Sequence, residues 1–139
     1  MTQGFQSRVA FVATEDGRNF TFVQPLTYVA KDGRVFVIPK GATTDGASTP
    51  KEIWPFLPPF GDYWLSSALH DCAYQNTLLV VNPQEASETL ANLERDDCDN
   101  LYQEALESVG VEKSTIEKLY LGVHEFGWLA YWKDRGEKI

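Results

Sequence analysis

Two short apolar runs, Leu26-Thr27-Tyr28-Val29 and Val35-Phe36-Val37-Ile38, flank Lys31-Asp32-Gly33-Arg34 and leave the chain few options there. Gly33 tolerates the positive φ that a tight reversal demands, and β-branched and aromatic residues on both sides favour an antiparallel hairpin. The same device stands upstream, where Arg8-Val9-Ala10-Phe11-Val12 and Phe20-Thr21-Phe22-Val23 flank Glu15-Asp16-Gly17-Arg18. Pro25 lacks an N–H and breaks or edges the middle strand, and Pro39 ends the last one. Residues 7–39 are therefore expected to form a small antiparallel meander of three to four strands.

The character changes at Lys40. Residues 41–50 are small and polar, which predicts a loop across 40–61 whose backbone can approach a ligand or ion, with Asp45 and Ser48 as the side chains able to touch it. Ile53-Trp54-Pro55-Phe56-Leu57-Pro58-Pro59-Phe60 is too rich in proline for a helix and is expected to pack as a rigid cover or to expose a docking patch.

Asp62 or Gly61 then caps a helix from about Tyr63 to Gln75, with Leu65, Ala68, Leu69 and Cys72 as its apolar stripe. His70 lies at the stripe's edge with Tyr74 on the same face, whereas Asp71 points about 100° away. Neighbours in sequence are thus not partners in space, and a basic His70 needs a second acid from elsewhere. Residues 76–82 form a connector, a short strand or a packed loop. Asn82, Pro83 and Glu85 signal the start of a long helix reaching about Ser108, with an inward stripe of Cys98, Leu101, Tyr102, Ala105, Leu106 and Val109. Asp99 borders that stripe, where a carboxylate needs Arg95 one turn back or a histidine on a neighbouring helix. A capping box, Ser114-Thr115-Ile116-Glu117, opens a last helix to about Lys133, on which Gly122 and Gly127 admit close helix approach and His124 is a surface residue.

These elements make an α+β fold, a meander followed by three helices, and 139 residues suit one domain with one core. A formal charge of −8 opposes phosphate backbones and so disfavours nucleic acid, while leaving room for a hard cation among carboxylates. No apolar run of about 18 residues suggests a transmembrane segment. No basic-then-apolar leader opens the chain, so residence in the cytoplasm, or delivery by a route the sequence does not show, is expected. Cys72 and Cys98 are too few for a disulfide scaffold and read as small buried hydrophobes.

His70 and Asp99 on two antiparallel helices could form a base and its orienting acid, with water on the other ring nitrogen. Asp71, on the adjoining face, suits a cation that polarises a carbonyl. A zinc site from Asp45, His70 and His124 is the competing arrangement.

Thr44-Asp45-Gly46-Ala47-Ser48-x-Pro50, Trp54, Pro58, His70-Asp71-x-x-Tyr74, the Asp99 helix, Gly127 and Trp132 together resemble the phage and prophage family known as domain of unknown function 1353. The likeness spans roughly residues 30–132 and implies a phage or prophage origin, and with it residence in the cytoplasm of a bacterial host or in the phage virion. In the helical half, His70-Asp71-x-x-Tyr74 followed by Cys98-Asp99 is similar to the catalytic pattern of phospholipase A2. That resemblance implies His70 as the base that activates water, Asp99 as its partner, Tyr74 as support and Asp71 as a calcium ligand. A phospholipid or related acyl ester would be the substrate. The sequence departs from that family's glycine-rich calcium loop, offering Pro58-Pro59-Phe60-Gly61 before the His70 helix. The reading from a different class is a non-catalytic virion or host-binding protein, in which the same polar residues lock helices and loop together.

Overall fold

A computed structural model of the chain describes residues 2–7, 11–13, 19–44, 55, 62–126 and 131. Its architecture is α+β: eight short strands among the described residues and three helices of 14 residues each. The strands are β1 (Gly4–Phe5), β2 (Phe11–Ala13), β3 (Phe20–Phe22), β4 (Leu26–Val29), β5 (Val35–Ile38), β6 (Thr43–Thr44), β7 (Leu79–Asn82) and β8 (Ser87–Leu90). The helices are α1 (Asp62–Gln75), α2 (Arg95–Ser108) and α3 (Lys113–Phe126).

The β4–β5 hairpin lies where its turn residues place it, with Leu26 opposite Ile38 and Val29 opposite Val35. Gly33 takes φ 91°, a conformation that costs a Cβ-bearing residue steric strain. The Asp32 carboxylate accepts the Arg34 N–H at 3.0 Å, closing the turn from its side chain.

The single meander does not form. Strand order in one sheet is β1-β4-β5-β7-β8, and β2, β3 and β6 make a second, three-stranded sheet, with antiparallel pairing throughout. Pro25, between Phe22 and Leu26, fixes φ and offers no N–H, so β3 and β4 part into different sheets rather than continuing one ladder. Part of the expected polar loop is strand as well, since Thr43 and Thr44 pair with Thr21 and Phe20.

The long helix expected from Asn82 begins only at Arg95; residues 79–90 are instead the β7–β8 hairpin. Asn82 Oδ1 accepts the backbone N–H of Gln84 at 3.0 Å and of Glu85 at 3.4 Å. Those are the contacts an N-cap would make, and Asn-Pro serves a turn equally well. Ala86 at φ 50° reverses the chain, and pairing of Phe36 with Val80 draws β7 into the sheet. Replacing Ala86 with glycine removes the left-handed strain of a Cβ and is expected to raise stability by about 0.5–1 kcal/mol after the entropy of glycine in the unfolded chain is counted. A urea titration giving an equal or lower midpoint for Ala86→Gly would contradict that strain.

Helix α1 buries the predicted stripe, with Leu65 at 5% exposure and Ala68, Leu69 and Cys72 at 0%. Asn76 at φ 58° ends it, with Thr77 N–H bonded to Cys72 O at 2.9 Å and Asn76 N–H to Ala73 O at 3.2 Å. Helix α2 ends the same way on Gly110, through Val111 N–H to Leu106 O at 3.2 Å and Gly110 N–H to Glu107 O at 3.1 Å. Both are Schellman caps that satisfy last-turn carbonyls. Helix α3 begins one residue before Ser114, so the expected cap residue lies in the first turn and the Glu112 carbonyl accepts the first helical bond, from Ile116. A Cβ added at Gly122 meets no described atom within 4 Å. This glycine is exposed, and none of the described helices approaches it, against expectation.

The main core draws on Phe22, Leu26, Tyr28, Phe36 and Ile38 from the strands and on Leu69, Cys72, Leu78, Cys98 and Ala105 from the helical half. A second cluster joins Tyr102 and Leu106 of α2 to Ile116 and Leu119 of α3. Helix α2 thus packs on α1 with one side and on α3 with another, and among the described residues no helix is long and apolar enough to cross a membrane.

Candidate active site

Asp99 is the one charged residue among the buried positions of α2, at 0% exposure. A carboxylate in such a place requires partners, and the two that bond it come from α1. His70 of α1 bonds through Nε2 to Asp99 Oδ1 at 2.8 Å, and the Tyr74 hydroxyl donates to the same oxygen at 2.6 Å. The spacing of four that puts His70 and Tyr74 on one face of α1 therefore aims both at a single carboxylate. Tyr74 and Tyr102 hold the imidazole from two sides, at ring separations of 4.1 and 4.8 Å. Ser67 meets the Tyr102 hydroxyl at 3.2 Å, which steadies that second ring.

With Nε2 engaged by Asp99, the carboxylate selects the imidazole orientation and leaves Nδ1 as the nitrogen able to take a proton from a reactant. His70 is buried at 8% exposure, so the dyad sits just beneath the surface.

Asp71 faces elsewhere, as helical geometry requires. Its Oδ2 accepts from the Thr44 hydroxyl at 2.7 Å, tying α1 to β6 and to the start of the polar segment that follows. Of the two destinations open to Asp71, an ion or the Asp45 segment, the described contact is with the second. Asp45, Ser48, Gly127 and Trp132 lie outside the described residues, as do Trp54 to Phe60 apart from Pro55. Calcium takes six to eight oxygen ligands. The described residues contain no group of three His, Cys, Asp or Glu side chains that could hold an ion, so by themselves they do not fit one.

Replacing Thr44 with valine removes this part-buried bond to Asp71 and is expected to lower stability by about 1 kcal/mol. Chemical denaturation of Thr44→Val reads this directly, and an unchanged midpoint would mean that the bond adds nothing.

Arg95, the expected local partner of Asp99, stands 3.8 Å from Oδ2. Its Nη1 donates to the carbonyls of His124 at 2.6 Å and Val123 at 3.3 Å, so it clamps α3 to α2. His124 is the residue that sequence reasoning misplaced. It is not simply a surface side chain: its Nδ1 lies 3.7 Å from Asp99 Oδ2 and 3.8 Å from Asp96 Oδ1, and its ring stacks on Tyr120 at 5.4 Å. A border position one residue after Val123 was the only available signal. Of the zinc arrangement, Asp45 lies outside the described residues, and the two histidines each direct one nitrogen to Asp99.

Cys72 and Cys98 are free thiols, both fully buried. Burial pushes the Cys72 thiol from its ordinary 9.0 up to about 12. It likewise raises the phenols of Tyr28 and Tyr74 far above 10.0, with the hydrogen bond to Asp99 adding to the rise at Tyr74. All three groups keep their protons in the fold while the unfolded chain loses them first. Their stabilisation is therefore whole below about pH 9 and declines as pH rises through 9 to 12. Urea midpoints at about pH 8 and about pH 10.5 are expected to differ, the alkaline one being lower; equal midpoints would contradict burial of these groups.

An α+β fold in which helices present a buried histidine–carboxylate pair defines the class. The chain belongs to the family described as protein of unknown function (DUF1353), whose match covers residues 20–123. Neither a curated protein nor a solved structure matches.

Proposed function

We propose that the chain is a phage- or prophage-encoded hydrolase of acyl esters, phospholipids among them, in which His70 is the general base. The supporting observation is the 2.8 Å bond from His70 Nε2 to a fully buried Asp99. Nδ1 of His70 removes a proton from water as it attacks the ester carbonyl, Asp99 stabilises the imidazolium that results, and the imidazolium returns the proton to the departing alkoxide as the acyl C–O bond breaks, leaving fatty acid and alcohol. Tyr74, bonded to the same Asp99 oxygen, holds the carboxylate in place through that step. The similarity of His70-Asp71-x-x-Tyr74 and Asp99 to the phospholipase A2 pattern motivates the choice of ester.

No step is routed through a cation. Asp71 and Asp45 would be its ligands in this reading, and calorimetric titration with calcium tests them. Heat from the wild type that disappears in Asp71→Asn supports an ion site, and equal heats or none remove calcium from the proposal. Fatty-acid release from mixed micelles is the activity assay, with neutral or zwitterionic micelles preferred because the chain carries −8.

A second reading rests on the Thr44–Asp71 bond. The same polar residues could be a structural network that joins α1, α2 and β6 in a virion or host-binding protein. No release of fatty acid under any ion condition, combined with a large loss of stability on removing His70, favours that reading.

A further inference from the structure

Asp99 has two carboxylate oxygens with unequal surroundings. Oδ1 receives both His70 and Tyr74, whereas Oδ2 is buried with no hydrogen-bond partner among the described residues. The Nδ1 of His124 is the other buried polar side-chain atom without one. These two complementary atoms face each other at 3.7 Å. An unmade bond on a buried donor or acceptor is costly, so such groups are rarely left unpaired.

The surroundings of His124 hold its ring toward Asp99. Arg95 bonds the His124 carbonyl itself at 2.6 Å, which anchors the backbone of this turn of α3 against α2. Tyr120 stacks on the imidazole with an interplanar angle of 10°. Asp96 lies 3.8 Å away on the exposed rim, and the Arg95 guanidinium stands 3.8 Å from Oδ2 but is engaged with the α3 carbonyls. Moving from 3.7 Å to the ordinary N–H···O distance of about 2.9 Å takes a shift of under 1 Å.

We infer that His124 is a positioning residue: its Nδ1–H holds Oδ2 of Asp99, so that one buried carboxylate is shared between imidazoles on the two helices that flank it. Oδ1 orients His70 and Oδ2 is tied to α3. Donation by His124 draws electron density from the carboxylate and so sets how strongly Oδ1 holds the His70 Nε2 proton. His124 touches no reactant in this arrangement. Its relevance to turnover rests on the reading of His70 as base, but the coupling between the two imidazoles does not.

The chain contains two histidines, so nitrogen-15 and proton NMR of histidine-labelled protein reports on these two rings alone. The wild type is expected to carry a proton on Nδ1 of His124. In His124→Ala the His70 Nε2 proton is expected to move downfield, because Oδ1 regains density and accepts more strongly. His124→Asn, whose amide nitrogen takes the place of Nδ1, is expected to stay near the wild-type position. Identical His70 signals in wild type and His124→Ala overturn the inference, as does an unprotonated Nδ1 on His124 or an equal displacement in the Ala and Asn variants. Should His124→Ala not fold, His124→Gln, whose amide reaches past the Nδ1 position, replaces it against His124→Asn. Coupled imidazoles in a protein without esterase activity defeat the hydrolase reading alone, and uncoupled imidazoles in an active enzyme defeat this inference alone.

Discussion

Asp99→Ala is expected to lower the stability of the protein by about 2–6 kcal/mol, since it strands two buried hydrogen-bonding groups at about 1–3 kcal/mol each. The carboxylate is fully buried and receives His70 at 2.8 Å and Tyr74 at 2.6 Å. Its loss leaves an imidazole and a phenol without an acceptor and the Arg95 guanidinium without a nearby counter-charge. For a chain of this size that corresponds to a fall of about 10 °C or more in melting temperature. Asp99→Asn keeps an oxygen for those donors and replaces the charge, so its loss is expected to be smaller than that of Asp99→Ala. Calorimetry or urea unfolding of the two variants side by side measures both. An Asp99→Ala protein within about 1 kcal/mol of wild type would mean that α1 and α2 are held by their apolar contacts alone.

The second large effect is on activity. His70→Gln places an amide nitrogen where Nε2 stands and so keeps a donor for Asp99, while leaving no basic nitrogen at the Nδ1 position. Its stability is expected to stay within about 1 kcal/mol of wild type, whereas ester hydrolysis falls by about 10²–10⁴, the usual contribution of a general base. Fatty-acid release from micelles under single-turnover conditions provides the rate and thermal unfolding provides the control. Hydrolysis that persists in His70→Gln would remove His70 from the reaction. A stable but unreactive variant separates the chemical reading from the structural one, which an alanine substitution alone does not, since His70→Ala also empties the space between the Tyr74 and Tyr102 rings.

Much of the site was legible because helical periodicity is local. Residues four apart share a face and adjacent ones do not, so His70 and Tyr74 had to point together, Asp71 had to point away, and a remote acid had to serve His70. Asp99 met that need because a carboxylate on the inward border of α2 itself requires a partner. Asp71 was half legible: its divergence from His70 follows from geometry, but its bond to Thr44 depends on β6 joining β3, which brings a distant segment against α1. His124 was not legible, since its approach to Asp99 is set by how α3 packs on α2 and by the Arg95 clamp on its carbonyl.

The strands divide in the same way. Asp32-Gly33 specifies a tight turn wherever it lies, and the runs around it pair in the expected register. Asn82-Pro83 is different, because an asparagine oxygen that accepts the next N–H groups can begin a helix or close a turn. The deciding term is the ladder between β7 and β5, a contact across more than 40 positions of sequence.

Sequence thus settles what short-range sterics and hydrogen bonding control: the Gly33 reversal, the α1 stripe and the direction in which His70 looks. Packing decides the rest, namely the splitting of the strands into two sheets, the hairpin at 79–90 and the gathering of His70, Tyr74, Arg95 and His124 around Asp99. A buried carboxylate collects whatever donors the surrounding helices bring within reach, and which ones arrive is fixed only when those helices pack.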